Sequence, residues 1–261
     1  MRVGITGGRG VLGRILQAQL KGAGHDYDCF GGDVREPREL AAWLGSSRFD
    51  TVIHLAALVP TQSVQADPAR AFQVNVGGTA NLIAAAATME TKPWVFYASS
   101  SHVYQPQAAP LSESAPTIPT HPYGVSKLMG EQVFAICAAA AGLPCCIGRI
   151  FSFYHASQAG SFLYPSLMRR FAAEDLEKPF PLFGADDVRD ISPAEALAAY
   201  IVALAEKRAT GIVNIGSGAG TRIADFVQAH APKPLRIVPA STAAPTSVVA
   251  DISRLHQLLG R

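Results

Sequence analysis

A phenol and an amine lie four residues apart at Tyr123 and Lys127, at the head of a helical stretch running to about Ala141. That spacing puts both on one helical face, one turn from each other. A free phenol gives up its proton only near pH 10 and is a poor acid–base partner at neutral pH. A neighbouring ammonium stabilises the phenolate and lowers that value. Reduction of a ketone by hydride leaves an alkoxide that needs a proton in the same step, and a phenol tuned in this way can give it. Hydroxyls arrive in a row at Ser99-Ser100-Ser101, directly after the apolar run Trp94–Ala98. An anion site comes first in the chain: Thr6-Gly7-Gly8-Arg9-Gly10-Val11-Leu12-Gly13 joins a short strand at Val3 and Ile5 to a helix from Val11 to about Lys21. Bare backbone there can approach a pyrophosphate, faced by the unpaired N–H groups of the helix start at Val11 and Leu12. Gly7 lets the chain turn, Gly10 permits close approach, and Gly13 lets helix and strand pack.

These stretches are far apart in sequence, so a scaffold must bring them to one edge. Strands are expected at Val3 and Ile5, Asp26–Phe30, Thr51–Leu55, Trp94–Ala98, Pro144–Ile150 and Gly211–Ile215. Between them, helices are expected at Val11–Lys21, Pro37–Leu44, Ala69–Ala87 and Tyr123–Ala141. Further helices follow at Pro165–Ala173, Pro193–Lys207, Ile223–Ala229 and Ile252–Leu259. The alternation predicts an α/β fold, a doubly wound parallel Rossmann sheet with a small C-terminal substrate-binding region. Ligands of such sheets gather at the C-terminal ends of the strands. The predicted division is a dinucleotide-binding unit over 1–150, to which 188–215 returns, and a substrate-binding region made of 151–187 and 216–261.

Many dinucleotide folds place an acid about 20 residues beyond the glycines, on the adenosine ribose. Asp26 and Asp28 stand near that distance, but Phe30-Gly31-Gly32 occupies the expected strand end. The missing acid leaves room for a 2′-phosphate that Arg9 could neutralise, which favours NADP over NAD; the alternative is that Arg9 is a solvated loop charge. A net charge of +2 with no basic run argues against a nucleic-acid partner. No apolar stretch reaches the 18 or so residues that cross a bilayer, so no membrane is expected. Cysteines 29, 137, 145 and 146 match neither a zinc site nor a disulfide framework. No metal is expected, and Cys145-Cys146 read as small apolar strand residues. A strand that starts at once leaves no room for a cleavable signal, so a reducing, cytoplasmic setting is expected.

Taken in order, the motifs resemble the extended short-chain dehydrogenase/reductase family of nucleotide-sugar epimerases, reductases and dehydratases. They are Thr6-Gly7-x-x-Gly10-x-x-Gly13, Asp33-Val34, His54-Leu55-Ala56-Ala57, Asn75 and Ser99-Ser100-Ser101-x-Val103-Tyr104. Tyr123-x-x-x-Lys127, Arg149, Arg189-Asp190 and Asn214-Ile215-Gly216 complete the series. The resemblance implies Gly7, Gly10 and Gly13 around the pyrophosphate, Asp33 and Val34 near adenine, and Leu55, Ala56 and Ala57 beside the cofactor. It implies Asn75 in the support of that site, and Lys127 on the nicotinamide ribose as well as beside Tyr123. Ser100, four residues before Tyr104, falls where the family places the hydroxyl that orients the substrate oxygen; Ser99 and Ser101 are the alternatives if the register slips by one.

Dehydratases of the family carry an Asp-Glu pair directly after that hydroxyl, where this chain has Ser101 and His102, so elimination of water lacks its acid and base. His102 stands where some epimerase-reductases place a second acid/base, and imidazole titrates in the right range; a ring that only bonds a loop carbonyl is the plainer alternative. Arg189 matches an arginine that pairs with the substrate diphosphate, with Arg169 or Arg170 as possible helpers. Phe151–Arg170 is similar to the corresponding stretch of 4-keto-6-deoxy nucleotide-sugar reductases. Ser152 replaces the family's usual Asn, and the C-terminal part is short. The resemblance implies an NAD(P)H-dependent reductase of a 4-keto nucleotide sugar, working as a homodimer. A 4-epimerase with retained NAD is the alternative, and a non-catalytic cofactor sensor a third.

Overall fold

Short apolar runs covered on two sides have little choice but to pair with one another, and here they build one parallel sheet. The computed structural model describes residues 1–59 and 61–260; Arg261, the end of the expected substrate region, lies outside them. Its first elements are β1 (Arg2–Thr6), α1 (Val11–Gly22), β2 (Asp26–Cys29), α2 (Pro37–Ser46) and β3 (Thr51–His54). Next come α3 (Thr61–Ala66), α4 (Pro68–Phe72), α5 (Gly78–Ala87), β4 (Trp94–Ser100), α6 (Pro122–Ala140) and β5 (Cys145–Ile150). They are followed by β6 (Ser152–Tyr154), α7 (Leu163–Ala173), β7 (Phe180–Leu182), β8 (Val188–Pro193), α8 (Ala194–Glu206) and β9 (Gly211–Ile215). The tail holds β10 (Gly220–Arg222), α9 (Ile223–His230), β11 (Ile237–Pro239), β12 (Ser247–Val248) and α10 (Ser253–Leu259).

The main sheet runs β2-β1-β3-β4-β5-β9 with every neighbour parallel. Alternate residues of each strand face opposite layers. Trp94 and Phe96 join Leu16 and Leu20 of α1 and Leu197 and Ile201 of α8. Val95 and Tyr97 join Leu40 and Leu44 of α2, Leu82 of α5 and Phe134 of α6. The sheet is therefore doubly wound. Its strand order reverses between β1 and β3, the place where such folds open a crevice for ligands.

Three expectations are corrected. Ala69–Ala87 is not one α-helix: a π turn at Gln73–Gly77 separates α4 from α5. The extra residue per turn lets Asn75 point inward to partners described below. β2 stops at Cys29, one residue early, as an exposed edge strand. Finally, β8 joins a small sheet with β10, β12 and β6, so only α8 and β9 (residues 194–215) return to the main layer. β6 follows β5 after a single residue and takes β8 as its parallel partner, which draws 188–193 away from the main sheet. The small sheet, a β7–β11 pair, α7 and α9 close over a separate apolar cluster that includes Leu167, Phe180, Leu182 and Phe226. All four cysteines are free, Cys146 fully buried in β5.

Candidate active site

A cleft of about 820 Å³ runs along the C-terminal ends of the main strands, between them and the small sheet. Its floor begins at the glycine loop. Gly7 has a φ of +77°, and a Cβ there would sit 2.6 Å from the Ala56 nitrogen, so only glycine can turn the chain at this crossing. A Cβ on Gly13 would run into the Gly7 carbonyl oxygen, so that glycine seats α1 against the loop. Gly10 caps α1 with extended backbone and no side-chain hydrogen bond, leaving the first-turn amides of Val11 and Leu12 on the cleft side. A cradle without side chains at a helix N-terminus fits a dinucleotide pyrophosphate.

Arg9, Asp33, Val34, Leu55, Ala56 and Ala57 line the same cleft. Gly13 and Asn75 do not. Asn75 is buried; its Oδ1 accepts from the Leu58 N–H at 2.7 Å and its Nδ2 donates to Ser126 Oγ at 2.9 Å. It thereby ties the chain leaving β3 to α6. Asp26 and Asp28 are also off the cleft wall, Asp28 accepting from Trp43 Nε1 at 2.9 Å.

Below the floor, His54 closes a directional chain of hydrogen bonds. Thr79 Oγ1 donates to the Asn75 carbonyl at 2.7 Å, so it must accept from His54 Nε2 at 3.1 Å. Nδ1 is then bare and accepts from Thr6 Oγ1 at 2.6 Å, while Thr6 Oγ1 accepts from the Ala56 N–H at 3.3 Å. Burial, assisted by the Lys127 charge, pulls the imidazole down to about 3, so it stays neutral. Ala56 is held by a group the motif named but whose work the sequence did not disclose.

Tyr123 and Lys127 enter on the first turns of α6, whose start is fixed by Pro122 and by His121 Nδ1 accepting from the Gly124 N–H. Of the three serines at the end of β4, Ser100 is the one whose hydroxyl acts on the Tyr123 phenol, and both line the cleft. Ser99 faces inward and donates to Glu131 Oε1, and Ser101 opens a 3₁₀ turn. Burial pushes the Tyr123 phenol up to about 12, against the Ser100 hydrogen bond that lowers it. Burial also brings Lys127, only 2% exposed, down to about 7, with Glu131 opposing. In the protein alone, then, desolvation outweighs the expected pull of the amine on the phenol.

Glu131 was not foreseen, though it lies one turn beyond Lys127 at the same four-residue spacing. Its carboxylate pairs with Arg149 at 2.8 Å, and Arg149 Nη1 donates to Tyr104 Oη at 3.0 Å. Tyr104 in turn donates to Asn214 Oδ1 at 2.6 Å. This buried network joins α6, β4, β5 and β9 beneath Tyr123 and Lys127.

His102 stands on the cleft wall with Nδ1 3.0 Å from Ser100 Oγ, to which its backbone N–H also donates at 3.3 Å. Its ring is 5.4 Å from that of Tyr123 and 5.0 Å from that of His121. Although the residue is open to the cleft, the protein packed around it pulls its pKa to about 4, helped by His121 and Arg189.

On the opposite wall stand Ser152 and Arg189. Arg189 is held by Asp187 at 2.9 Å and by the Thr246 carbonyl and hydroxyl at 2.7 and 2.8 Å. Arg169 and Arg170 do not reach the cleft: Arg169 donates to the Gly160 carbonyl, and Arg170 binds Glu174 and lies over Phe180. Much of this wall is aromatic, including Phe151, Phe153, Tyr154, Tyr164 and Phe226. The sequence shows 151–188 as aromatic but gives no period by which to pick the lining residues, and Phe226 carries no signal at all. Among the described residues no cluster of metal-ligating side chains occurs, and no helix is long and apolar enough to cross a membrane.

The sequence profile of the NAD dependent epimerase/dehydratase family matches residues 3–216. A GDP-6-deoxy-D-mannose reductase of Pseudomonas aeruginosa is 30% identical over 243 residues, covering 87% of this chain and 78% of that protein. A UDP-glucose 4-epimerase of Halalkalibacterium halodurans is 27% identical over 305 residues, covering 100% and 90%. Among solved structures, RMD from Pseudomonas aeruginosa complexed with NADPH superposes with a TM-score of 0.88 at 27% identity, covering 99% of this chain and 91% of that one.

Proposed function

The chain belongs to the NAD dependent epimerase/dehydratase family, and from that premise we propose that it reduces the 4-keto group of a 6-deoxy nucleotide sugar, with NADPH preferred to NADH. It is an NAD(P)-dependent enzyme of the oxidoreductase or isomerase kind that this family comprises. The observation that carries the reductase reading is the exit of β2. Phe30-Gly31-Gly32 offers no carboxylate for a ribose 2′-OH, and Arg9 Nη2 reaches across to the Gly31 carbonyl at 3.3 Å. Asp33, the next acid, is taken up by Arg35, and Glu39 lies against Gly32. A guanidinium at that place suits a 2′-phosphate, and so the dinucleotide that cells keep reduced for net reduction.

The bound reduced dinucleotide supplies the hydride. Tyr123 gives the proton from its hydroxyl to the substrate oxygen, which Ser100 orients. Lys127, which lines the same cleft, stabilises the phenolate so formed and donates to ribose hydroxyls. Arg189 takes the substrate diphosphate. Arg9→Ser lowers the NADPH-over-NADH preference about tenfold, the value of one charge-assisted hydrogen bond; an unchanged ratio defeats the NADPH choice.

A 4-epimerase is the second reading, favoured by the UDP-glucose 4-epimerase that matches the whole chain. Purified protein separates the two. Steady loss of nicotinamide absorbance with 4-keto nucleotide sugars supports the reductase, whereas tightly held NAD with no net turnover supports the epimerase. The working form in this reading is a cytoplasmic homodimer joined through α5 and α6, the latter leaving Met129 and Ile136 exposed. Light scattering that returns the mass of one chain rejects that assembly.

A further inference from the structure

Burying an ammonium is costly unless something takes the place of its water. Lys127 lines the cleft yet is nearly fully buried, and among the described residues its Nζ makes no hydrogen bond to the protein. What meets it is an aromatic face. Nζ lies over the Tyr97 ring, 4.3 Å from the centroid. A cation at that distance is attracted by the electron-rich face, most strongly where water is scarce. The ring itself is fixed. Tyr97 Oη donates to the Lys127 carbonyl at 3.4 Å, the ring stacks on Phe134 at 5.3 Å, and a Cβ on Gly130 would run into the hydroxyl. Nothing in the sequence marks this tyrosine, which stands inside the apolar run Trp94–Ala98.

We propose that Tyr97 is the positioning residue of Lys127: its ring face holds the ammonium in place and charged, and takes none of its N–H groups in doing so; this rests on the part of Lys127 in the proposed reaction, which the reductase and epimerase readings share. Lys127 has two kinds of acceptor to serve, the Tyr123 phenolate and the ribose hydroxyls, and an ammonium has three hydrogens to give. A carboxylate in the place of Tyr97 would also hold the charge, but it would occupy one of those hydrogens and turn Nζ toward itself. A π face attracts charge without a directed bond, so all three hydrogens stay available to the cleft.

The charged and titratable groups around Nζ leave this work to the ring. Glu131, one turn along α6, favours the ammonium, but its carboxylate is already paired with Arg149 at 2.8 Å. His54 of β3 feels the Lys127 charge and stays neutral. Tyr123 shares the head of α6, and burial keeps its phenol protonated in the protein alone. Burial also raises the Tyr97 phenol well above its usual range, so it holds its proton wherever Lys127 titrates. Lys127 itself is brought down by burial to about 7. Removing the ring removes a stabiliser of the charged form, so the amine gives up its proton at lower pH.

The test changes the charge on the ring face before its shape. Tyr97→Phe keeps the face, whereas Tyr97→3,4,5-trifluorophenylalanine keeps the shape and strips the face of its negative potential. The titration of Lys127 is followed through its ¹³Cε resonance in the protein without dinucleotide, assigned by its absence in Lys127→Met. In Tyr97→Phe the midpoint stays within about 0.3 pH unit of wild type, and in the trifluoro variant it falls by about one unit, the scale of a desolvated cation over a ring. Tyr97→Leu lowers it by about as much. Turnover follows the same order: the alkaline fall of kcat, where Lys127 loses its proton, moves down by about one unit in the trifluoro variant and stands at the wild-type position in Tyr97→Phe. A midpoint that ignores the trifluoro ring, or that moves as far in Tyr97→Phe, overturns the proposal. If the wild type turns over no nucleotide sugar, the proposed reaction fails, and the titration still decides whether Tyr97 holds the charge.

Discussion

The two walls of the cleft are made differently. The main-sheet wall consists of strand ends, a glycine loop and the head of α6, fixed from below by the chains through His54 and Glu131. The small-sheet wall is rich in aromatic side chains, carried by the three-residue β6 and by α7 and α9. Tyr154 meets Phe226 and His230 edge-on at 5.4 and 5.1 Å, and Phe226 lies 4.2 Å from His230. Hydrogen-bonded strand ends hold reacting atoms to fractions of an ångström, whereas ring contacts tolerate repacking. In the proposed function, therefore, chemistry belongs to the first wall and substrate choice to the second.

Tyr123→Phe tests that division most severely. It removes the proposed proton donor and nothing else from the first wall, so kcat falls on the order of 10³-fold. Dinucleotide affinity, measured by fluorescence titration, stays within about twofold. A variant with unimpaired turnover removes Tyr123 from the chemistry.

Arg149→Met comes next. It leaves the Glu131 carboxylate buried and unpaired beside Ser99, which costs about 3–5 kcal/mol of folding stability in denaturant titration. A loss under about 1 kcal/mol means the network is not what braces this wall.

Acid attacks the same wall through His54. Its folded pKa, about 3, lies below the usual 6.5, so the unfolded chain takes a proton that the folded one refuses. Stability is full above pH 6.5 and is lost as pH falls toward 3. By pH 4.5, two units at about 1.4 kcal/mol each remove roughly 3 kcal/mol. In His54→Asn the whole curve lies lower, but its slope in this window shrinks; an unchanged slope assigns the acid loss to other groups.

What the sequence disclosed follows the same divide. β3, β4 and β5 are apolar runs with covered faces, and the glycine loop needs residue types no other structure requires, so both were readable. Tyr123, Lys127 and the serines share one edge because strand ends and a helix head converge there in any doubly wound sheet. β6, β7, β10, β11 and β12 are too short to show a period of two, and β8, which carries Arg189-Asp190, buries the polar Asp190 and Ser192 and so shows no apolar alternation. Asp190 proved to be a buried anchor, accepting from Ser217 N–H at 2.9 Å and Ser217 Oγ at 2.7 Å. The π turn at Gln73–Gly77 was invisible because an alanine-rich stretch favours helix whatever its winding.

Phe226→Ala tests the second wall. Removing one ring from a stacked group raises KM for the nucleotide sugar about tenfold, the worth of one aromatic contact with its buried area. kcat and dinucleotide affinity hold. A fall in kcat with KM unchanged would mean that this wall also positions the reacting carbon.

The smallest effect comes from a pair that looks stronger on paper. Arg170 and Glu174 on α7 approach to 2.6 Å, closer than the 2.8 Å of Arg149 and Glu131. Their side chains are 28% and 40% exposed, against 5% and 5% for the buried pair. The Arg170 hydrogen bond holds the Glu174 carboxyl below its usual range, but water and salt screen most of that interaction. Glu174→Gln therefore costs at most about 0.5 kcal/mol in thermal unfolding, and less at high salt. Arg170 keeps its place over the Phe180 ring, 3.7 Å from its centroid, and still donates to the Pro181 carbonyl at 2.9 Å. A loss approaching that of Arg149→Met would show that α7 depends on charge as the main-sheet wall does, and would erase the distinction between the two.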